Sequence, residues 1–186
     1  MQGSGCGFSV EGDYVAELPV VARHPRSGVL HKHKFTVEDH TEAWCDALLF
    51  GVEKWFSGED VEYDTHLVRS AGTRLKTKGG RASGPQPLLN LLQFVRSIIF
   101  GAQGRRLYDI EVHDIGCMEG KIVQVGGVRR ASCISLSDLN SLMMRGAKHG
   151  DWWKLHGHRS MANNSTVYEE QPAIDVFMAE WMALMQ

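Results

Sequence analysis

Arg69-Ser70-Ala71-Gly72-Thr73-Arg74-Leu75-Lys76-Thr77-Lys78-Gly79-Gly80-Arg81-Ala82-Ser83-Gly84-Pro85-Gln86-Pro87-Leu88 sets five cations among four glycines and then changes character at two prolines. Before Pro85 there is almost no apolar periodicity, so a long loop is expected from Leu67 to the prolines. Pro85 and Pro87 suit the first turn of a helix, where a missing N–H costs nothing. Leu88, Leu91, Leu92, Val95, Ile98 and Ile99 then mark one apolar helical face that ends at Gly101. Glycines let backbone N–H groups turn toward a bound oxyanion, a helix start presents unpaired N–H groups, and guanidinium forks match phosphate oxygens in pairs. A phosphate site is one reading of the loop. A solvated loop whose cations merely face water is the other, and composition serves both equally.

Outward from this stretch the pattern alternates. Gly3-Ser4-Gly5-Cys6-Gly7 leads into a short strand through Phe8 and Val10, with a turn at Gly12. Residues 19–36 are less regular. Val37, Trp44, Leu48, Val52 and Trp55 recur at helical spacing between Thr36 and Gly58, with Asp39 or Thr41 as the cap. Downstream, a helix is expected over about Asp109–Gln124 with Ile110, Ile115, Met118 and Ile122 on one side. A tight turn at Val125-Gly126-Gly127-Val128-Arg129-Arg130 then enters a strand over Ala131–Leu136. Ser137 or Asp138 caps a short helix through Met144, Ser165–Tyr168 reads as a strand, and Ala173–Met185 as an amphipathic helix. Helices alternating with strands across Gly-rich turns define an α/β architecture.

The 186 residues, 43% hydrophobic and 23% charged, suffice for one sizeable core and at most two domains. Twenty basic against 22 acidic residues give a net charge of -2, which excludes a global field drawing the chain to nucleic acid or an anionic membrane. Anion binding must therefore be local. Apolar runs such as Ile98–Phe100 fall far short of a membrane span, and a cytoplasmic location is expected. Cys6, Cys45, Cys117 and Cys133 show no CxxC spacing, so reduced thiols are expected. Cys6 beside Phe8 fits small core packing as well as a redox thiol. His31 with His33, and His156 with His158, invite a metal assignment, but no thiols are spaced to complete a tetrahedral site, and solvated loop histidines are expected. Gly126 to Arg130 lacks the spacing of a Rossmann fingerprint or a P-loop, and ordinary turn chemistry explains its glycines about as well as a ligand does.

Six blocks, in order, resemble the adenosylcobalamin-dependent (class II) ribonucleotide reductases. They are Gly3-Ser4-Gly5-Cys6-Gly7-Phe8-Ser9-Val10-Glu11, Leu75 through Leu88, and Gly101-Ala102-Gln103-Gly104-Arg105-Arg106-Leu107. Val112-His113-Asp114-Ile115, Val125 through Ser132, and Arg159-Ser160-Met161-Ala162-Asn163-Asn164-Ser165 follow. The resemblance implies part of a ten-stranded α/β barrel with an α-containing insertion near the specificity site. Residues 1–11 and 67–186 would be barrel segments and 12–66 the insertion. It also implies effector and specificity loops at Arg69, Gly72, Arg74, Lys78, Gly79 and Gly80 and at Gly126, Gly127, Val128, Arg129, Arg130 and Ser132. Ser83 and Gly84 would lie on the substrate side.

In that family a thiyl radical forms in an Asn-Pro-Cys-Gly-Glu type motif, which this sequence lacks, so no catalytic residue is expected here, and with the thiols unsuitably spaced no metal ligand either. The implied cofactor is adenosylcobalamin, held mostly by residues outside this chain. The implied partners are a ribonucleoside di- or triphosphate substrate, a deoxynucleoside triphosphate effector, the remainder of the barrel and an external dithiol reductant. The sequence is expected to be a fragment, or one part of a split enzyme, and inactive alone. A non-catalytic nucleotide-binding regulator and a structural α/β domain are its rivals.

Overall fold

A computed structural model of the chain describes residues 5–25, 29–75, 80–125, 133–168, 170–183 and 185. The first half runs β1 (Cys6–Ser9), α1 (Gly12–Ala16), β2 (Lys32–Thr36), α2 (Thr41–Phe56), β3 (Asp60–Asp64) and α3 (Gln86–Gly101). The second runs α4 (Asp109–Val125), β4 (Cys133–Ser137), α5 (Leu142–Arg145), α6 (Trp152–Leu155), a 3₁₀ turn (Gly157–Met161), β5 (Ala162–Thr166) and α7 (Ile174–Ala183). The strands make two parallel sheets, one of three strands in the order β1-β4-β5 and one pairing β2 with β3. Cys6 is level with Cys133, and Cys133 with Ala162. The α/β reading holds.

The large core is built where helical periodicity is strongest. Leu88, Leu91, Leu92, Val95 and Ile99 of α3 are buried against Ala43, Ala47 and Trp55 of α2, with Val21, Val37 and Val68 closing the edges. Each leucine, isoleucine or valine among them withdrawn from water contributes about 1.5–3 kcal/mol. The cap of α2 differs from expectation: His40 Nδ1 accepts the Ala43 N–H at 3.1 Å. Asp39 is engaged elsewhere, accepting from Arg69 Nε at 2.6 Å. β2 and β3 lie inside or beside stretches that the sequence left irregular. Their charged residues alternate with Phe35, Val61 and Tyr63, and Tyr63 donates to the Ala47 carbonyl at 2.9 Å. Gly51 makes that approach feasible, because a Cβ there would run into Tyr63 and Trp55.

The inner face of α4 is polar. His113 and Cys117 are fully buried, whereas Ile115, Met118 and Ile122 only flank the large core and Ile110 joins a separate cluster around Val10 and Met144. Those four isoleucine and methionine positions therefore do not form the single face expected of them. The helix that follows β4 is capped by Ser141, whose hydroxyl accepts from Met144 N–H at 3.1 Å, and not by Ser137 or Asp138. β5 begins three residues ahead of the expected strand, at Ala162. No helix among the described residues is long and apolar enough to cross a membrane.

Candidate nucleotide site

The direction of α4 fixes which loops can meet. At its start Asp109 accepts a hydrogen bond from Ser141, just past the carboxyl end of β4. In its middle Gly116 packs on Phe8 of β1, and near its end Gly120 approaches Cys133, where β4 begins. So α4 runs antiparallel to the sheet. The seven residues 102–108 return the chain from α3 into α4, and the two helices pack together. The start of α3 and the end of α4 are consequently at one end of the helix pair, the end from which the strands set out. The cationic stretch enters α3 there, and α4 finishes there at Val125.

The stretch expected to be an open loop is a hairpin. Arg74 and Arg81 form an antiparallel bridge. Gly72 N–H donates to Ala82 O at 2.9 Å, Ala82 N–H to Thr73 O at 2.7 Å, and Leu75 N–H to Gly80 O at 3.1 Å. Gly72, Gly80 and Gly84 have φ of +86°, +86° and +72°, conformations that glycine reaches without strain. At Gly84 the constraint is doubled, because an added Cβ would stand 2.9 Å from the Ala71 nitrogen. The open foot of the hairpin, at Ala71, therefore packs closely on Gly84 just before α3.

The cations differ in their engagement. Arg69 is half-buried and paired with Asp39. Arg81 is exposed and donates from Nη1 to the Gly72 carbonyl at 2.9 Å, bracing the hairpin. Arg74 is exposed and forms no ion pair among the described residues. Ser83 directs its hydroxyl to the Gly84 carbonyl at 3.3 Å, at the foot of the same hairpin. Lys78, Gly79, Gly126, Gly127, Val128, Arg129, Arg130 and Ser132 lie outside the described residues. Pro85 caps α3 with no side-chain acceptor for the first-turn N–H groups. An anion placed there would meet those unpaired N–H groups and the positive end of a 16-residue helix.

The sequence did not signal the opposite, carboxyl end of the three-stranded sheet. Glu11, Asp138, Leu139, Asn140 and Val167 line an open cleft of about 370 Å³ there. Asp138 accepts the Gly12 N–H at 2.6 Å, and Ser9 donates to Glu11 at 2.6 Å. The carboxyl ends of parallel strands are where open α/β sheets place ligands. The usable sequence signal was Asp138 directly after β4 and Glu11 two residues after β1.

Behind the sheet, α4 and the 3₁₀ turn share a buried polar cluster. Arg159 grips Asp114 with Nε at 2.6 Å and Nη2 at 2.8 Å, and donates from Nη1 to the Ala147 carbonyl at 2.8 Å. His158 Nε2 lies 3.0 Å from Asp114, without the alignment of a hydrogen bond. Burial alone would push the Asp114 carboxyl up, but the Arg159 fork and the neighbouring His158 outweigh it and hold it at about 2. Burial takes His113 down to about 4 and Cys117 up to about 12, so both are neutral near pH 7. His158 is therefore a core residue, not the solvated loop histidine expected. The four cysteines are free thiols.

No protein-family model matches the chain. The fold superposes on the crystal structure of a B12-dependent (class II) ribonucleotide reductase with a TM-score of 0.72, over 86% of this chain and 26% of that one, at 22% identity. The fold is thus that of a segment of a class II ribonucleotide reductase. Among curated proteins, the adenosylcobalamin-dependent ribonucleoside-triphosphate reductase of Lacticaseibacillus paracasei is 28% identical over 206 aligned positions, covering 92% of this chain and 27% of the relative. The enzyme of the same name from Euglena gracilis is 35% identical over 107 positions, covering 57% of this chain and 15% of the relative. The chain is thus similar to part of the adenosylcobalamin-dependent ribonucleoside-triphosphate reductases, and spans only 15% and 27% of the length of these two relatives.

Proposed function

We propose that this chain is the nucleotide-reading part of a B12-dependent ribonucleotide reductase that converts ribonucleoside di- or triphosphates to deoxyribonucleotides in the cytoplasm. The observation that carries the proposal is the shared end of α3 and α4. Within a fold matching the reductases, the cationic hairpin enters α3 where α4 delivers the chain to the Gly126–Ser132 segment. Arg69, Gly72, Arg74, Lys78, Gly79 and Gly80 would hold a deoxynucleoside triphosphate effector. Gly126, Gly127, Val128, Arg129, Arg130 and Ser132 would carry the choice of base to the substrate, and Ser83 with Gly84 would touch the substrate. Such coupling requires that each nucleotide bind one arrangement of the second segment better than another.

On this reading β1, β4 and β5 are three strands of a ten-stranded barrel and residues 12–66 are its insertion. The exposure of Leu142, Leu155 and Ile174, at 76%, 83% and 75%, and the outer edges of β1 and β5 support a missing packing partner, the remainder of the barrel. Adenosylcobalamin would supply the radical chemistry when bound to the parent enzyme, and an external dithiol would restore it. The residues that would hold that cofactor are expected mostly outside this chain.

The test is Arg129→Ala, assayed with the rest of the reductase supplied and all four bases as substrates. The expected result is a changed order of base preference, with a smaller change in total turnover. Equal losses on all four substrates would remove the specificity role. A deoxynucleoside triphosphate that stabilises the chain while no complement restores reduction would favour the regulatory module instead.

A further inference from the structure

His31 and His33 are two residues apart at the start of β2, so extended backbone sends both rings to one side of the sheet. Glu59 immediately precedes β3, whose pairing sets Asp60 level with Lys32 and brings Glu59 beside His31 on the neighbouring strand. Asp60 N–H donates to the His31 carbonyl at 2.9 Å, locking that register. Three donor atoms converge as a result. His31 Nδ1 stands 3.1 Å from His33 Nε2, His33 Nε2 is 2.9 Å from one Glu59 oxygen, and His31 Nδ1 is 4.0 Å from the other.

From this convergence we infer that His31, His33 and Glu59 form a binding site for a divalent transition-metal ion, Zn²⁺ being the best match. Bonds of about 2.0–2.1 Å to a tetrahedral ion set its ligands about 3.3–3.4 Å apart, and the three observed separations bracket that value. Two imidazoles and one carboxylate suit Zn²⁺ in preference to Mg²⁺ or Ca²⁺, which take oxygen ligands. The fourth position faces solvent, since the His31 side chain is 70% exposed. Lys54 Nζ now lies 3.3 Å from Glu59 and would turn outward on its flexible stem as the ion enters.

Asp114, His156 and His158 make the other set of three mutually converging donor atoms among the described residues, and it fails the same test. Both Asp114 oxygens are already held by the Arg159 guanidinium, so an incoming cation would meet a fixed positive charge. A bound ion at the first cluster would instead staple the entry of β2 to the entry of β3, fixing the edge of the segment that packs on α2 and α3.

The experiment is titration of the full chain with ZnCl₂ and separately MgCl₂, read by calorimetry and thermal unfolding, with Co²⁺ as a coordination-sensitive optical probe. One Zn²⁺ per chain, a raised unfolding midpoint and no response to Mg²⁺ are expected. His31→Ala and Glu59→Gln each remove one ligand at the edge of the sheet, and each should weaken Zn²⁺ at least about tenfold. His156→Ala should leave it unchanged. Absence of Zn²⁺ binding, or binding that survives His31→Ala and Glu59→Gln, which would assign it to the free thiols, overturns the site.

Discussion

Two arginine–aspartate pairs in this molecule share the same closest distance and have opposite consequences. Arg69 Nε and Arg159 Nε each approach an aspartate oxygen at 2.6 Å. Arg159 and Asp114 have side chains only 10% and 12% exposed, and the guanidinium makes a two-pronged contact with the carboxylate plus a third bond to a carbonyl. Arg69 and Asp39 are 38% and 34% exposed, and the second contact, from Nη2 to the Asp39 carbonyl, stretches to 3.5 Å. Water competes for the second pair and is kept from the first. The buried pair fastens α4 to the 3₁₀ turn before β5, whereas the more exposed one ties Arg69 to Asp39 beside the hairpin. Distance alone does not distinguish a structural clamp from a releasable one; burial and the number of satisfied donors do.

The largest effect should come from Arg159→Ala. It leaves a buried carboxylate without its partner, which costs about 3–5 kcal/mol and is a large part of an ordinary domain's stability. Denaturant unfolding would measure it. Because both charges must be desolvated together, replacing the pair at once with Asp114→Leu and Arg159→Met should recover much of the loss. A single Arg159→Ala chain as stable as the parent would erase the distinction between the pairs.

A second test uses pH. His113 is buried neutral, its ordinary value of 6.5 lowered to about 4 by burial, so the unfolded chain takes up the proton first. Its contribution is fully present above 6.5 and is lost as pH falls toward 4, amounting to on the order of 3 kcal/mol. Asp114, held at about 2 against 3.8, behaves likewise in a lower window: its contribution is present above 3.8 and vanishes as pH falls through 2. Urea midpoints should thus decline in two stages. His113→Gln, which keeps a polar group near the Ser135 hydroxyl now 3.0 Å from the ring, should flatten only the upper stage. A decline of equal depth in both proteins would show that another group titrates there.

What the sequence disclosed and what it hid divide along the same line of local against distant contacts. The apolar face of α3 is legible because its residues are three and four apart, and Leu88, Leu91, Leu92, Val95 and Ile99 are all buried. The cations and glycines of the hairpin were visible, but its pairing was not, since nothing in Arg74 or Arg81 advertises an antiparallel bridge. Asp114 finds Arg159 across 45 residues and His33 finds Glu59 across 26, separations at which no periodicity operates. β2 and β3 escaped notice for that reason too. Each is five residues long, and β2 carries three cation-capable side chains that only the opposite strand and α2 make sense of.

The smallest expected effect on stability is also the one that joins the comparison to function. Asp39→Asn removes the charge opposite Arg69 while keeping a similar shape. At a half-exposed pair this should cost less than about 1 kcal/mol, close to the resolution of a denaturant titration. If Arg69 contributes to an effector site, the same change frees its guanidinium and deletes a nearby negative charge, so triphosphate binding should tighten by up to about fivefold, the equivalent of that ~1 kcal/mol. Arg69→Ala should weaken it by a similar factor, and added salt should shrink both differences, since screening acts on exposed charges. Calorimetric titration of the two variants with a deoxynucleoside triphosphate measures this directly. Identical affinities in Asp39→Asn, Arg69→Ala and the parent chain would make the exposed pair as purely structural as the buried one, and the effector assignment would then rest on the residues after Val125.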